Sequence, residues 1–369
     1  MNEGRRRSPL VAALLDPERV LSFGLRTWND VLAIGREHGL LGRLGAQLGE
    51  RGLLERIPYK ARAHIRAVTI AAESSQTSVR WEVNRVMRAL GEVDTPVVLL
   101  KGSAYVMAGL PAAKGRFVGD VDLMVPRDKI EEVERVLTEK GWAAAKMNEY
   151  DQRYYREWMH EIPPLQHPER ETVLDIHHTI LPLTSRFHPI APALFAAAQP
   201  TGNSRLRVLG PPDMVLHSTV HVFNDEVTNP LRDLSDLHLL LCHFAQRPGF
   251  WEDLLARAEL HGLRRPLYYL LRHVRRVFAT PVPAAIEEAA AGGAPGPLTR
   301  TVMDWLFEHR FASGSAGNRG PGGRFAHRVF YLRAHWLRMP LPMLVQHLSV
   351  KAARRTRERF ERKPEVVDA

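Results

Sequence analysis

The run Arg116-Phe117-Val118-Gly119-Asp120-Val121-Asp122-Leu123-Met124-Val125 constrains the fold more than any other part of the sequence. Its alternation of apolar and acidic residues reads as a β-strand, because successive side chains of a strand point to opposite faces. Asp has poor β-propensity and is costly to desolvate. Two Asp on one face of an apolar strand therefore need a reason, and a divalent cation is the most economical one. At a rise of about 3.3 Å per residue, Asp120 and Asp122 lie about 7 Å apart along the strand. Their carboxylates can converge on one Mg²⁺, or share two ions about 3.5–4 Å apart. The bland alternative is a pair of Asp at a strand edge facing water.

The surrounding sequence gives this strand partners. Val97-Val98-Leu99-Leu100 is a short β-rich run that ends in Lys101-Gly102-Ser103 and opens a helix-like segment. A strand that turns into a helix at Gly-Ser presents backbone N–H groups and a small hydroxyl, which suits phosphate oxygens. Lys101 and Arg116 are cations able to neutralise a triphosphate. The spacing is not that of a Walker A loop. Downstream, Thr172-Val173-Leu174-Asp175-Ile176-His177 reads as another strand, so Asp175 can complete a three-carboxylate cluster. In such a cluster the third acid is the natural general base or second-metal ligand. His177 falls on the Asp175 face by alternation, where it orients that acid, touches phosphate or simply packs beside the site.

The chain has 369 residues, 45% of them hydrophobic and 25% charged, which is typical of a soluble globular protein with a substantial core. Residues 8 to 90 read as helical, with Trp28, Val31, Leu32, Leu40, Leu41 and Leu44 at three-to-four spacing, Asn29 or Asp30 as an N-cap, and a long helix from Tyr59 to Leu90. The middle third alternates strand and helix. Beyond Pro211-Pro212-Asp213 the chain is helical again, broken at Ala291 to Pro297 and by a Gly/Ser-rich loop at Ser313 to Gly323. The expected division is an N-terminal helical region at 1–90, an α+β core with a mixed sheet and flanking helices at 91–200, a C-terminal helical region at 201–350, and a basic frayed tail at 351–369.

The net charge of +10 favours polyanionic partners, with a solvated Arg-rich surface as the plainer reading. Cys242 is the lone cysteine, so no disulfide forms within the chain. No segment reaches transmembrane length, and the expected location is cytoplasmic. His217 and His221 have the i, i+4 spacing of metal ligands, but Ser218-Thr219-Val220 between them lacks the Glu of a zinc protease motif. A helix face bordering an acceptor cleft, or plain packing, fits better. Asp233 and Asp236 share a helix face and are expected in salt bridges with arginines. Arg354, Arg355, Arg357, Arg359 and Arg362 make the tail basic, which suits a solvated helix end, nucleic acid or a lipid surface.

Gly-Ser after a strand, then Asp-x-Asp, then a third Asp on a later strand, resembles the DNA polymerase β-like nucleotidyltransferase superfamily. More narrowly, the chain is similar to a bacterial family of uncharacterised nucleotidyltransferases. The residues that carry the resemblance are Leu100-Lys101-Gly102, Arg116 to Val125 and Asp175-Ile176-His177, with the Trp28 region and Leu231 to Leu237 as similar flanks. It spans about residues 20 to 245. One departure is Leu110-Pro111, where the family often has Tyr-Pro.

The resemblance implies a polymerase β-like core and metal-dependent transfer of a nucleoside monophosphate from an NTP, such as ATP, to a hydroxyl-bearing acceptor, with release of pyrophosphate. Asp120 and Asp122 would hold both ions, two Mg²⁺ with Mn²⁺ as a substitute, and Asp175 the acceptor-side ion. Gly102 and Ser103 would seat the phosphates, with Lys101 and Arg116 as charge partners. The acceptor stays open between a small molecule, a peptide or protein side chain, and RNA. The alternatives are a non-catalytic nucleotide-binding module and an RNA- or tRNA-directed transferase of toxin-like type.

Overall fold

The computed structural model describes residues 8–170, 172–224, 229–311, 320–345 and 349. The basic tail at 351–369 and most of the Gly/Ser-rich loop lie outside the described residues. The last residues expected in that loop are already helical, because Pro321 occupies the first position of a helix, Pro321–Arg338.

Four helices come first: α1 (Pro9–Leu15), α2 (Leu25–Glu37), α3 (Leu41–Glu50) and α4 (Tyr59–Ala89). The Ser8 side chain accepts a hydrogen bond from the Val11 N–H and caps α1. Helix α2 starts at Leu25, with Gly24 as its cap, so Asn29 and Asp30 lie inside the helix. Its apolar face begins at Trp28, but its backbone begins a turn earlier. Helix α4 runs 31 residues without Gly or Pro.

The middle of the chain supplies β1 (Val97–Leu99), α5 (Lys101–Met107), β2 (Asp120–Met124), α6 (Ile130–Glu139), β3 (Ala143–Ala144), α7 (Glu149–Trp158), β4 (Leu165–Gln166) and β5 (Val173–His177). Helix α8 (Ala191–Ala197) follows, then β6 (Gln199–Thr201) and β7 (Asn203–Val208). Among the described residues the strands form one mixed sheet in the order β3-β4-β5-β2-β1-β7-β6. Strand β2 pairs parallel with β5 and antiparallel with β1, and β7 pairs parallel with β1. The sheet thus extends past residue 200 to Val208.

The C-terminal helices are α9 (Pro211–Asn224), α10 (Pro230–Phe244), α11 (Phe250–Leu260), α12 (Arg264–Phe278), α13 (Ala284–Ala290), α14 (Pro297–Arg310) and α15 (Pro321–Arg338). One continuous apolar core runs from Leu10 in α1 through Val121 and Leu174 in the sheet to Phe330 in α15. None of the described helices is long and apolar enough to cross a membrane.

A buried ionic cluster ties the helical regions to the loop before β2. Arg43 of α3 reaches Asp236 of α10 at 2.6 Å, Ser235 at 2.9 Å and the Ala112 carbonyl at 2.6 Å. Arg116 donates to Asp236 at 2.9 Å, and Arg232 pairs with Asp233 at 2.8 Å. The same loop crosses α3 at Gly115, which has φ +63° and sits against the Gly42 carbonyl; a Cβ there would overlap that backbone. The loop is thereby fixed, and with it the start of the Asp-bearing strand.

Candidate active site

The parallel pairing of β2 and β5 puts Asp122 directly opposite Asp175, with Asp120 two residues earlier on the same face. The intervening Val121, Leu123, Leu174 and Ile176 are fully buried on the other face. Period-2 alternation thus sorts the acids from the core. Asp122 is buried, Asp175 half-buried, and Asp120 stands at the exposed entrance of the strand.

Lys101 begins α5 immediately after β1, with φ +43°, a conformation that L-residues rarely adopt. That twist delivers its ammonium to Asp122, Nζ to Oδ1 at 2.7 Å. On the other side, His177 at the end of β5 places Nε2 at 3.1 Å from the same Oδ1. Burial alone would raise the Asp122 carboxyl, but Lys101 and His177 together hold it well below the usual carboxylate range. Burial pulls Lys101 down, and the Asp122 carboxylate outweighs it and raises the ammonium's pKa.

Asp175 behaves in the opposite way. Burial, then the charges of Asp122 and Glu161, push it up to about 7. Asp120 is raised too, first by partial desolvation and then by Asp122. Asp122 thus acts on both Asp120 and Asp175, Glu161 adds its charge at Asp175, and Lys101 is an ammonium set among them. The three Asp carboxylates are a hard, all-oxygen donor set, and they fit a divalent cation of the Mg²⁺ type.

Glu161 was not legible in the sequence. It lies in an irregular stretch between α7 and β4 and reaches the site through an antiparallel bridge to His177, with Ile162 N–H donating to Ile176 O at 3.0 Å and His178 N–H to His160 O at 2.8 Å. Only a His-Glu pair beside an apolar Ile-Pro-Pro run hints at it.

A cavity of about 500 Å³ opens beside Lys101 and Glu161. Tyr154, Tyr155 and Met159 wall one side of it, and His217 and His221 of α9 are also part of its lining. His217 is buried, and burial, followed by the Lys101 charge, keeps its imidazole neutral far below the ordinary histidine range. Tyr155 is pushed up to about 12 by burial and then by Glu161 and Asp175.

The remaining sequence-derived residues lie one layer behind the acids. Ser103 is fully buried and donates its hydroxyl to Leu100 O at 2.8 Å and Asp122 O at 3.1 Å, fastening α5 to β2. Gly102 leaves room for Arg116: a Cβ there would overlap Arg116 Nη1. Arg116 itself turns to Asp236 and stacks over the Tyr105 ring at 5.8 Å. The arginine pairing expected for Asp233 and Asp236 is present.

No curated protein matches the chain. The solved structure of the antibiotic-resistance factor ANT(2'')-Ia is similar over 54% of this chain and 97% of that one, with 13% sequence identity and a TM-score of 0.32, a likeness too loose to carry an argument. The family profile described as "Uncharacterised nucleotidyltransferase" matches residues 25–279, reaching beyond the Leu231–Leu237 segment through α11 and α12. The chain, with its Asp-bearing strands inside that match, belongs to this nucleotidyltransferase family.

Proposed function

We propose that the protein transfers a nucleoside monophosphate from an NTP, ATP among the candidates, to a hydroxyl group, releasing pyrophosphate. The observation that carries this reading is the in-register pairing of Asp122 with Asp175, with Asp120 on the same face. Asp120 and Asp122 would hold two Mg²⁺ ions, for which Mn²⁺ can substitute, and Asp175 would hold the one nearer the acceptor. When bound, the metal supplies charge neutralisation for the triphosphate and acidifies the acceptor hydroxyl. The acceptor oxygen then bonds to the α-phosphorus as the bond to the β-phosphate oxygen breaks, and the pair of electrons leaves with pyrophosphate.

The chain's own residues prepare that step. Asp175, directly opposite Asp122 on the neighbouring strand, would take the acceptor's proton. Lys101 bridges the Asp122 carboxylate and the cavity, where an incoming phosphate oxygen would meet its ammonium. Ser103 and Gly102 support this reading as fasteners of the strand–helix turn, and Arg116 as the brace of the loop before β2. The cavity volume suits a residue-sized hydroxylated group, with His217 and His221 in its wall. A small molecule, an amino-acid side chain or an RNA end carries such a group.

The test is incubation with α-labelled NTP, Mg²⁺ and cell extract, followed by mass analysis of the product. A mass gain of one nucleotide that disappears in Asp122→Asn supports the reading. Equal labelling by Asp122→Asn and wild type contradicts it.

A further inference from the structure

His160, Glu161 and His177 bring two imidazoles and a carboxylate together, one ligand atom from each lying within 4.8 Å of the others. The cluster stands behind Asp122. It is made by the bridge between Glu161 and His177 rather than by the Asp-x-Asp strand.

His177 is fully buried, and both its nitrogens face carboxylates. Nε2 lies 3.1 Å from Asp122 Oδ1 and Nδ1 lies 3.4 Å from Glu161 Oε2. An ionised carboxylate can only accept hydrogen bonds, so Nε2 carries the proton that Asp122 receives. Nδ1 is buried, without a hydrogen-bond partner, and lies on the Glu161 side of the ring. A histidine that donates one nitrogen to a carboxylate while the other faces a metal is a recurrent arrangement, because the carboxylate fixes the tautomer and raises ligand basicity.

From this we infer that His160, Glu161 and His177 form a site for a borderline divalent cation of the Zn²⁺ class, separate from the Asp120–Asp122–Asp175 cluster. Two nitrogens and one oxygen suit zinc better than Mg²⁺, which prefers oxygen ligands throughout. Ligands of a tetrahedral zinc lie about 3.4 Å apart at bond lengths of about 2.1 Å. Side-chain rotations of His160 and Glu161, both half-buried on the cavity wall, close the remaining distance. Three protein ligands leave a fourth position facing the cavity, the pattern of a zinc site that meets substrate.

The experiment uses the full chain freed of metal with a chelator. Zn²⁺ binding is followed by calorimetry and Co²⁺ binding by its visible absorption, with Mg²⁺ in excess throughout. The expected result is one Zn²⁺ per chain that Mg²⁺ does not displace, and a tetrahedral Co²⁺ spectrum with nitrogen ligands. Glu161→Gln and His160→Ala each weaken Zn²⁺ binding by about tenfold or more. Asp120→Asn retains it, even if that variant has lost nucleotidyl transfer, so the two readings fail separately. An octahedral all-oxygen Co²⁺ spectrum, loss of Zn²⁺ in Asp120→Asn with retention in Glu161→Gln, or no Zn²⁺ binding by the wild type overturns the inference. Thermal unfolding in chelator identifies a variant that has not folded; the wild-type Co²⁺ spectrum then decides alone.

Discussion

Asp122 stands directly opposite Asp175 on the neighbouring parallel strand, yet the two carboxyls are driven in opposite directions. Lys101 and His177 hold Asp122 down against its burial, whereas burial and the charges of Asp122 and Glu161 lift Asp175 to about 7. The pair is asymmetric because the ammonium of Lys101 is committed to Asp122. A site that leaves one half-buried acid undercompensated is poised to take a cation.

This asymmetry predicts a pH-dependent cost in the metal-free protein. The folded pKa of Asp175, about 7, lies above its ordinary value of 3.8 in the unfolded chain. Between those values the folded state binds more protons, so stability contributed here falls as pH rises through that window. Asp175→Asn removes the dependence and is expected to be more stable than wild type at pH 8 in chelator, by about 1 kcal/mol or more. Mg²⁺ narrows the gap by stabilising the wild type. Thermal unfolding across pH 5 to 8 measures it; a less stable Asp175→Asn at pH 8 contradicts it.

Lys101→Met removes the ammonium from a carboxylate that is 3% exposed. Breaking a buried pair from one side costs about 3 kcal/mol, because the remaining charge is left uncompensated. His177 still faces Asp122, so the protein is expected to fold, with a lower unfolding free energy that Mg²⁺ raises more than it raises wild type. Urea titration with and without Mg²⁺ reads both effects, and equal Mg²⁺ stabilisation of the two proteins refutes the assignment.

The Arg43–Asp236–Arg116 cluster predicts coupled energetics. Arg43→Met and Arg116→Met each leave Asp236 with one fewer partner in a buried setting, at a cost of about 3 kcal/mol each. Asp236→Asn also removes the acceptor charge that both arginines share. The double variant Arg116→Met/Asp236→Asn is expected to lose less than the sum of its single changes, by about 1 kcal/mol or more. Additive losses in denaturant unfolding would show that the two residues act independently.

Gly102→Ala tests why the residue after Lys101 is glycine. Its Cβ would overlap Arg116 Nη1 and lie 3.0 Å from Val118 Cγ1. Overpacking of this kind costs about 1–3 kcal/mol. Calorimetric unfolding should show that loss, and Gly102→Ala should cost less in an Arg116→Ala background than in the wild type; no loss in Gly102→Ala rules out the steric account.

The Asp120–Asp122 face, the Asp175 strand and the long α4 helix are all legible in the sequence, because each is a local pattern of period two or uninterrupted helical residues. The register that sets Asp122 against Asp175 is not, since strand pairing depends on a crossover more than forty residues long. Arg116 illustrates the same limit. Its charge suggests phosphate, but its partner Asp236 lies 120 residues away and is buried with it. Glu161 sits in irregular chain with no periodicity to mark it, and β6 is three residues long with Pro200 inside it. Local alternation identifies which residues are anomalous; tertiary packing decides which of them share a site.

The most direct measurement of the central claim is single-turnover transfer of nucleotide label in the presence of Mg²⁺, comparing wild type with Asp120→Asn, Asp122→Asn and Asp175→Asn after each is shown to fold. The carboxylate cluster predicts that all three variants lose transfer by about a thousandfold or more, as removal of a metal ligand or general base does, while NTP binding in the absence of metal is kept. Transfer at wild-type rate in any two of them would contradict it.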